Sequence, residues 1–68
     1  MTHRNETAAQ IALQLADAAE THQEARTLKA VAAYLGQGQR SDALATLRGM
    51  KCKTVPMGAR DMLAGLLA

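Results

Sequence analysis

Sixty-eight residues make one small domain, and a chain this short buries only ~60% of the surface it exposes when unfolded. Fifteen Ala and nine Leu dominate an inventory with one Tyr and no Phe or Trp, and a single Cys excludes an internal disulfide. The net charge of +2 conceals a segregation: Arg4 against Glu6, Asp17, Glu20 and Glu24 leaves −3 in residues 1–24, and residues 25–68 carry +5.

Burying a Leu is worth roughly 1.5–3 kcal/mol and an Ala much less, so this core is thin. Small scaffolds resolve that with disulfides, a metal or association. Self-association is the expected route, most simply a twofold homodimer. No apolar run approaches the ~20 residues that cross a bilayer. The start, MTHRNETAAQ, has no signal-like apolar stretch. A lone thiol suits the reducing cytoplasm.

Residues 1–5 are expected as a flexible arm, with Asn5 capping a first helix and Glu6 in its first turn. The following TAAQIALQLADAAE has no Gly or Pro, and Ala8, Ile11, Ala12, Leu15, Ala18 and Ala19 share its core face. Leu13 projects opposite them, among Glu6, Asp17 and Glu20. A single exposed Leu is ordinary; ringed by carboxylates it also has the form of a contact anchor.

Thr21-His22-Gln23-Glu24 matches a capping box, which favours a new helix from His22 over one unbroken helix to Leu35. In that second helix Ala25, Leu28, Val31, Ala32 and Leu35 form the buried stripe, Tyr34 borders it, and Arg26 and Lys29 look outward. Gly36 or Gly38 ends it in a left-handed turn. A third helix opens at Arg40 or Ser41, points Ala43, Leu44, Leu47 and Met50 inward and closes at Gly49. Residues 50–55 connect to a last helix with Pro56 in its first turn and Ala59, Met62, Leu63, Leu66 and Leu67 as its stripe. The expected fold is all-α: three or four short helices in a hairpin-based, homodimeric bundle.

Like charges stand at helical neighbour spacing at Asp17/Glu20, Glu20/Glu24, Arg26/Lys29 and Arg48/Lys51. Such pairs destabilise an isolated helix by a few tenths of a kcal/mol, which a partner would offset.

No residues here assemble into chemistry. His3 and His22 are far apart without companion ligands, so no metal or other cofactor is expected. Cys52 lies between Lys51 and Lys53, which favour a thiolate, but it has no nearby base and is the ordinary inert thiol. Nothing pairs a nucleophile with an ordered base, so the chain reads as a non-enzyme.

Three resemblances bear on function. Val31-Ala32-x-x-Leu35-Gly36 resembles the helix-turn-helix of DNA-binding regulators, which implies phosphate contacts from Arg40, Arg48, Lys51 and Lys53. Gln37 and Asp42 depart from that motif, and only a one-residue slip puts Ala43 and Leu47 in its apolar slots. Tyr34, Gly38, Ala43, Leu47 and Pro56 resemble the packing positions of a single tetratricopeptide-type hairpin, which implies hairpin geometry and peptide binding rather than an array. In size, class and lack of chemistry the chain also resembles the small helical inhibitors that bacteriophages make against host regulators, including dimeric anti-quorum-sensing proteins. That resemblance implies an antiactivator that blocks a transcription regulator, with Leu13, Asp17, Glu20, Arg26, Lys29 and Tyr34 as contacts. The expectation is therefore a protein-interaction module, with a small DNA-binding regulator as the alternative.

Overall fold

A computed structural model describes residues 3–68, with side chains from residue 4. Four helices follow one another: α1 (His3–Ala18), α2 (His22–Gly36), α3 (Arg40–Arg48) and α4 (Met57–Leu67). Each packs on the next, and α4 returns to close on α1. The most extensive packing joins α1 to α2 rather than α2 to α3.

That closeness has a sequence cause. Ala8, Ala12 and Ala16 recur every four residues along α1 and are all buried. A ridge of methyl groups lets a neighbouring backbone approach, where Leu would hold it off. The expected face needs one correction: Ala16 belongs to it and Ala18 is exposed. At 100° per residue Ala18 lies about 120° from Ala12, outside the stripe.

α2 contributes Leu28, Val31 and Leu35, α3 Ala43 and Leu47, and α4 Leu63 and Leu67. Met50 and Val55 of the α3–α4 connector complete the core, and Leu15, Tyr34, Leu44 and Leu66 pack around it half-buried. Met62 does not join this stripe. It is 57% exposed, because Leu63 and Leu67 set the inward direction and Met62 is turned one residue away from it.

The breaks fall at identifiable signals. α1 ends at Ala18, so the two helices are separate, and Thr21 caps α2 by accepting from the Glu24 N–H at 3.3 Å. Gly38, at φ +76°, takes the left-handed conformation after α2. Pro56 stands immediately before α4 rather than inside its first turn, and its carbonyl accepts from the Ala59 and Arg60 N–H groups. Arg60 also donates from Nη1 to the Met50 carbonyl at 3.0 Å, tying α4 to the end of α3.

Asn5 is not the cap of α1, because the helix already runs from His3. Its side-chain oxygen instead accepts from Arg40 Nε at 3.1 Å, joining the starts of α1 and α3. Of the expected flexible arm, residues 1 and 2 lie outside the described residues and the rest belong to α1.

The thin core nonetheless closes within one chain. Leu28, Leu47 and Leu63 are fully buried, and Leu67 is 2% exposed. The total surface, 4295 Å², is close to the ~4,100 Å² of a folded monomer of this mass. Small residues achieve this by bringing helices together rather than by filling a wide gap. No helix among the described residues is long and apolar enough to cross a membrane.

Candidate functional site

Among the described residues, one side chain that gathers many hydrogen bonds is a carboxylate that the sequence placed in a capping box. Glu24 is only 2% exposed. Half of the box forms, as Thr21 Oγ1 accepts from the Glu24 N–H and donates its own hydroxyl to Glu24 Oε1. The carboxylate does not turn back to the Thr21 backbone. It crosses to the α3–α4 connector, where Oε2 accepts from the N–H groups of Lys53 (3.0 Å), Thr54 (3.1 Å) and Val55 (2.9 Å). The Thr54 hydroxyl donates to Oε1 at 2.8 Å and accepts from the Glu20 N–H at 3.0 Å.

Five donors thus converge on one ionised group. The Thr21 hydroxyl foremost, then the connector N–H groups and Thr54, hold the Glu24 pKa down to about 2, against the opposing effect of burial. Without Glu24 the Lys53, Thr54 and Val55 N–H groups would lose their shared acceptor, and the last of these bonds is buried. The connector therefore owes its path to a residue thirty positions earlier.

This geometry revises the like-charge argument. Glu20 lies beyond the end of α1 and Glu24 is buried, so neither Asp17/Glu20 nor Glu20/Glu24 is a pair of exposed helical neighbours. Lys51 likewise lies beyond the end of α3, which dissolves Arg48/Lys51. Arg26 and Lys29 alone of the four pairs remain together on one helix, both exposed.

Of the other residues singled out as partner contacts, Leu13 is 47% exposed and shares the solvent face of α1 with Glu6 and Asp17. Glu20 is exposed in the linker beyond that helix. Tyr34 is half-buried against the core, about 140° around α2 from Lys29, so those two do not converge. The sole ion pair among the described residues is Arg60–Asp61, at 3.3 Å. Asp17, Glu20, Arg26 and Lys29 therefore have no ion-pair partner among the described residues.

The four cations of the nucleic-acid alternative divide. Arg40 is held by Asn5 at the start of α3, and Arg48 stands about 12 Å away along the axis at its end. Asp42 is exposed between them, and Ala43 and Leu47 are buried, as the one-residue slip requires. Lys51 and Lys53 follow Arg48 into the connector and border a groove of about 470 Å³ between the first turn of α2 and the last turn of α3. Cys52, between them, is half-buried against the core. No three His, Cys, Asp or Glu side chains among the described residues group as metal ligands.

Comparison with protein-family models, curated proteins and solved structures finds no match to this chain. Function must be argued from its own surfaces. The sequence pointed to Leu13 and the charged rows; it gave no sign that Glu24 would be buried, because the acceptor-hungry segment lies so far along the chain. The capping-box spacing was its only trace.

Proposed function

We propose that this chain is a non-enzymatic protein-interaction module that binds a regulatory protein and inhibits it by covering part of its surface. The observation that carries the reading is Leu13, a large apolar side chain exposed on a helix face whose neighbouring carboxylates, Glu6 and Asp17, have no cationic partner among the described residues. An apolar centre with a charged rim is the usual anatomy of a contact surface. The complementary partner would offer an apolar recess bordered by Lys or Arg. Such a partner is another protein in the first instance, or the Arg26/Lys29 face of a second copy, which would form the homodimer.

Two groups of the proposed contact set serve different ends. Leu13 supplies the buried centre, while Asp17 and Glu20 steer and orient. Arg26 and Lys29 would form a second rim on α2, and Tyr34 contributes at most its exposed edge.

The test compares wild-type chain with Leu13→Glu and with the charge reversal Asp17→Lys/Glu20→Lys, using cytoplasmic extract of the source cell as the pool of partners. A protein retained by wild type, lost by both variants and kept by Arg40→Ala, with helical circular dichroism unchanged throughout, would support the reading. Equal retention by all four chains would sink it. The DNA-binding alternative rests on Arg48, Lys51 and Lys53, which have no ion pair among the described residues. It predicts affinity for duplex DNA that falls steeply with salt.

A further inference from the structure

The groove between α2 and α3 combines features that the contact surface on α1 does not use. We infer that it is a binding site for a small phosphate-bearing molecule, with Lys51 and Lys53 as its charged ligands and Gln23 and Thr46 as its neutral donors. All four residues line the groove. Among the described residues neither ammonium has an ion-pair partner, and the side chains of Gln23 and Thr46 make no hydrogen bond within the chain.

The donor balance selects the ligand's chemistry. A Lys ammonium carries three donors and no acceptor, so this lining offers many N–H and O–H groups. Its one carboxylate, Glu24, has both oxygens engaged by the Thr21 and Thr54 hydroxyls and the connector N–H groups. Glu24 therefore cannot bind a cation there or satisfy the lysines. An acceptor-rich anion is what the groove lacks, and a phosphate presents three strong acceptor oxygens. At about 470 Å³ the groove falls within the 300–1,000 Å³ typical of small-ligand sites and has room for more than one phosphate group.

The buried carboxylate also gains a role in this arrangement. Glu24 binds the backbone N–H of Lys53 itself, at 3.0 Å, so it fixes the connector from which both lysines rise. The charges are held by their backbone, and their side chains stay free for a ligand. Positioning of that kind lowers the ordering cost of binding.

The experiment titrates the ¹⁵N-labelled chain with inorganic pyrophosphate at low ionic strength and follows amide shifts. Saturable shifts at Gln23, Thr46, Lys51 and Lys53 are expected. Lys51→Ala/Lys53→Ala should weaken binding by about tenfold or more, because charge-assisted bonds are lost. The fold should survive, since the connector is held through its backbone. Arg4→Ala/Arg40→Ala removes the same charge at the starts of α1 and α3, away from the groove, and should leave affinity unchanged. Absence of saturable shifts would overturn the proposal, as would equal weakening in the control variant. Equal binding of citrate would overturn the preference for phosphate. A short DNA duplex that shifts residues as far as Arg40, while pyrophosphate shifts none, would replace the small-molecule site with a nucleic-acid surface.

Discussion

At the scale of single residues, Glu24 links local to long-range structure. Its Thr21 partner is three residues away, but its acceptors serve Lys53, Thr54 and Val55. The folded-state pKa, about 2, lies below the ordinary 4.5. The unfolded chain therefore takes up the proton first as pH falls. The stabilisation from this carboxylate is complete above pH 4.5 and is lost progressively toward pH 2. Glu24→Gln should remove that part of the pH dependence, because an amide does not titrate, and should lower stability, because its NH₂ would confront N–H donors. Thermal midpoints by circular dichroism at pH 7 should fall on the order of 10 °C in the variant. A wild type and variant with parallel stability profiles from pH 5 to pH 2 would show that the clamp is energetically idle. The prediction concerns folding, and it stands whether or not the groove binds phosphate.

At the scale of elements, what could be read in advance follows from how local each signal is. The capping box at Thr21 and the Gly36-Gln37-Gly38 turn operate within four residues, and the first two of the three helix breaks fall there. The stripes Leu28/Val31/Leu35 and Ala43/Leu47 also follow from period alone. Asn5 and Met62 did not yield to the same reasoning. Asn5 is an excellent cap in isolation, but α1 extends past it and Arg40, thirty-five residues on, takes its side chain. Met62 is apolar like Leu63 beside it, and only the place of α4 against α1 and α3 decides which of the two faces in. Candidate contacts were harder still, because a helix face records exposure and says nothing of the partner.

The two turn glycines give an element-scale contrast. Gly38 is at φ +76°, where a β-carbon is strained, so Gly38→Ala should destabilise by roughly 1–2 kcal/mol. Gly36 ends α2 with a negative φ and open space around its α-carbon. Gly36→Ala should leave stability unchanged or raise it by up to about 1 kcal/mol, through lower unfolded-state entropy. Urea denaturation of the two single variants measures both. Equal destabilisation would mean that the turn is held by something other than the left-handed residue.

At the scale of the whole molecule, the question is how so little bulk makes a stable fold. Domains of this length are worth roughly 3–10 kcal/mol in total. Each fully buried Leu then matters more than it would in a larger protein. Leu47 is completely buried on the shortest helix, where few other side chains share its load. Leu47→Ala should cost about 2–5 kcal/mol, enough to leave much of the population unfolded at room temperature. Leu13→Ala, on the exposed face, should stay within about 0.5 kcal/mol. The same pair of variants separates the chain's own closure from help by a second copy. If one chain closes the core alone, the wild-type urea midpoint will not move with protein concentration, and Leu13→Ala will behave as wild type across the series. If a second copy contributes to the fold, the midpoint will rise with concentration by mass action. Leu13→Ala would abolish that rise if the copy docks on the acidic face of α1. A concentration-dependent midpoint that Leu13→Ala leaves intact would instead move the self-contact to another surface, with the exposed Met57 and Met62 of α4 the next place to substitute.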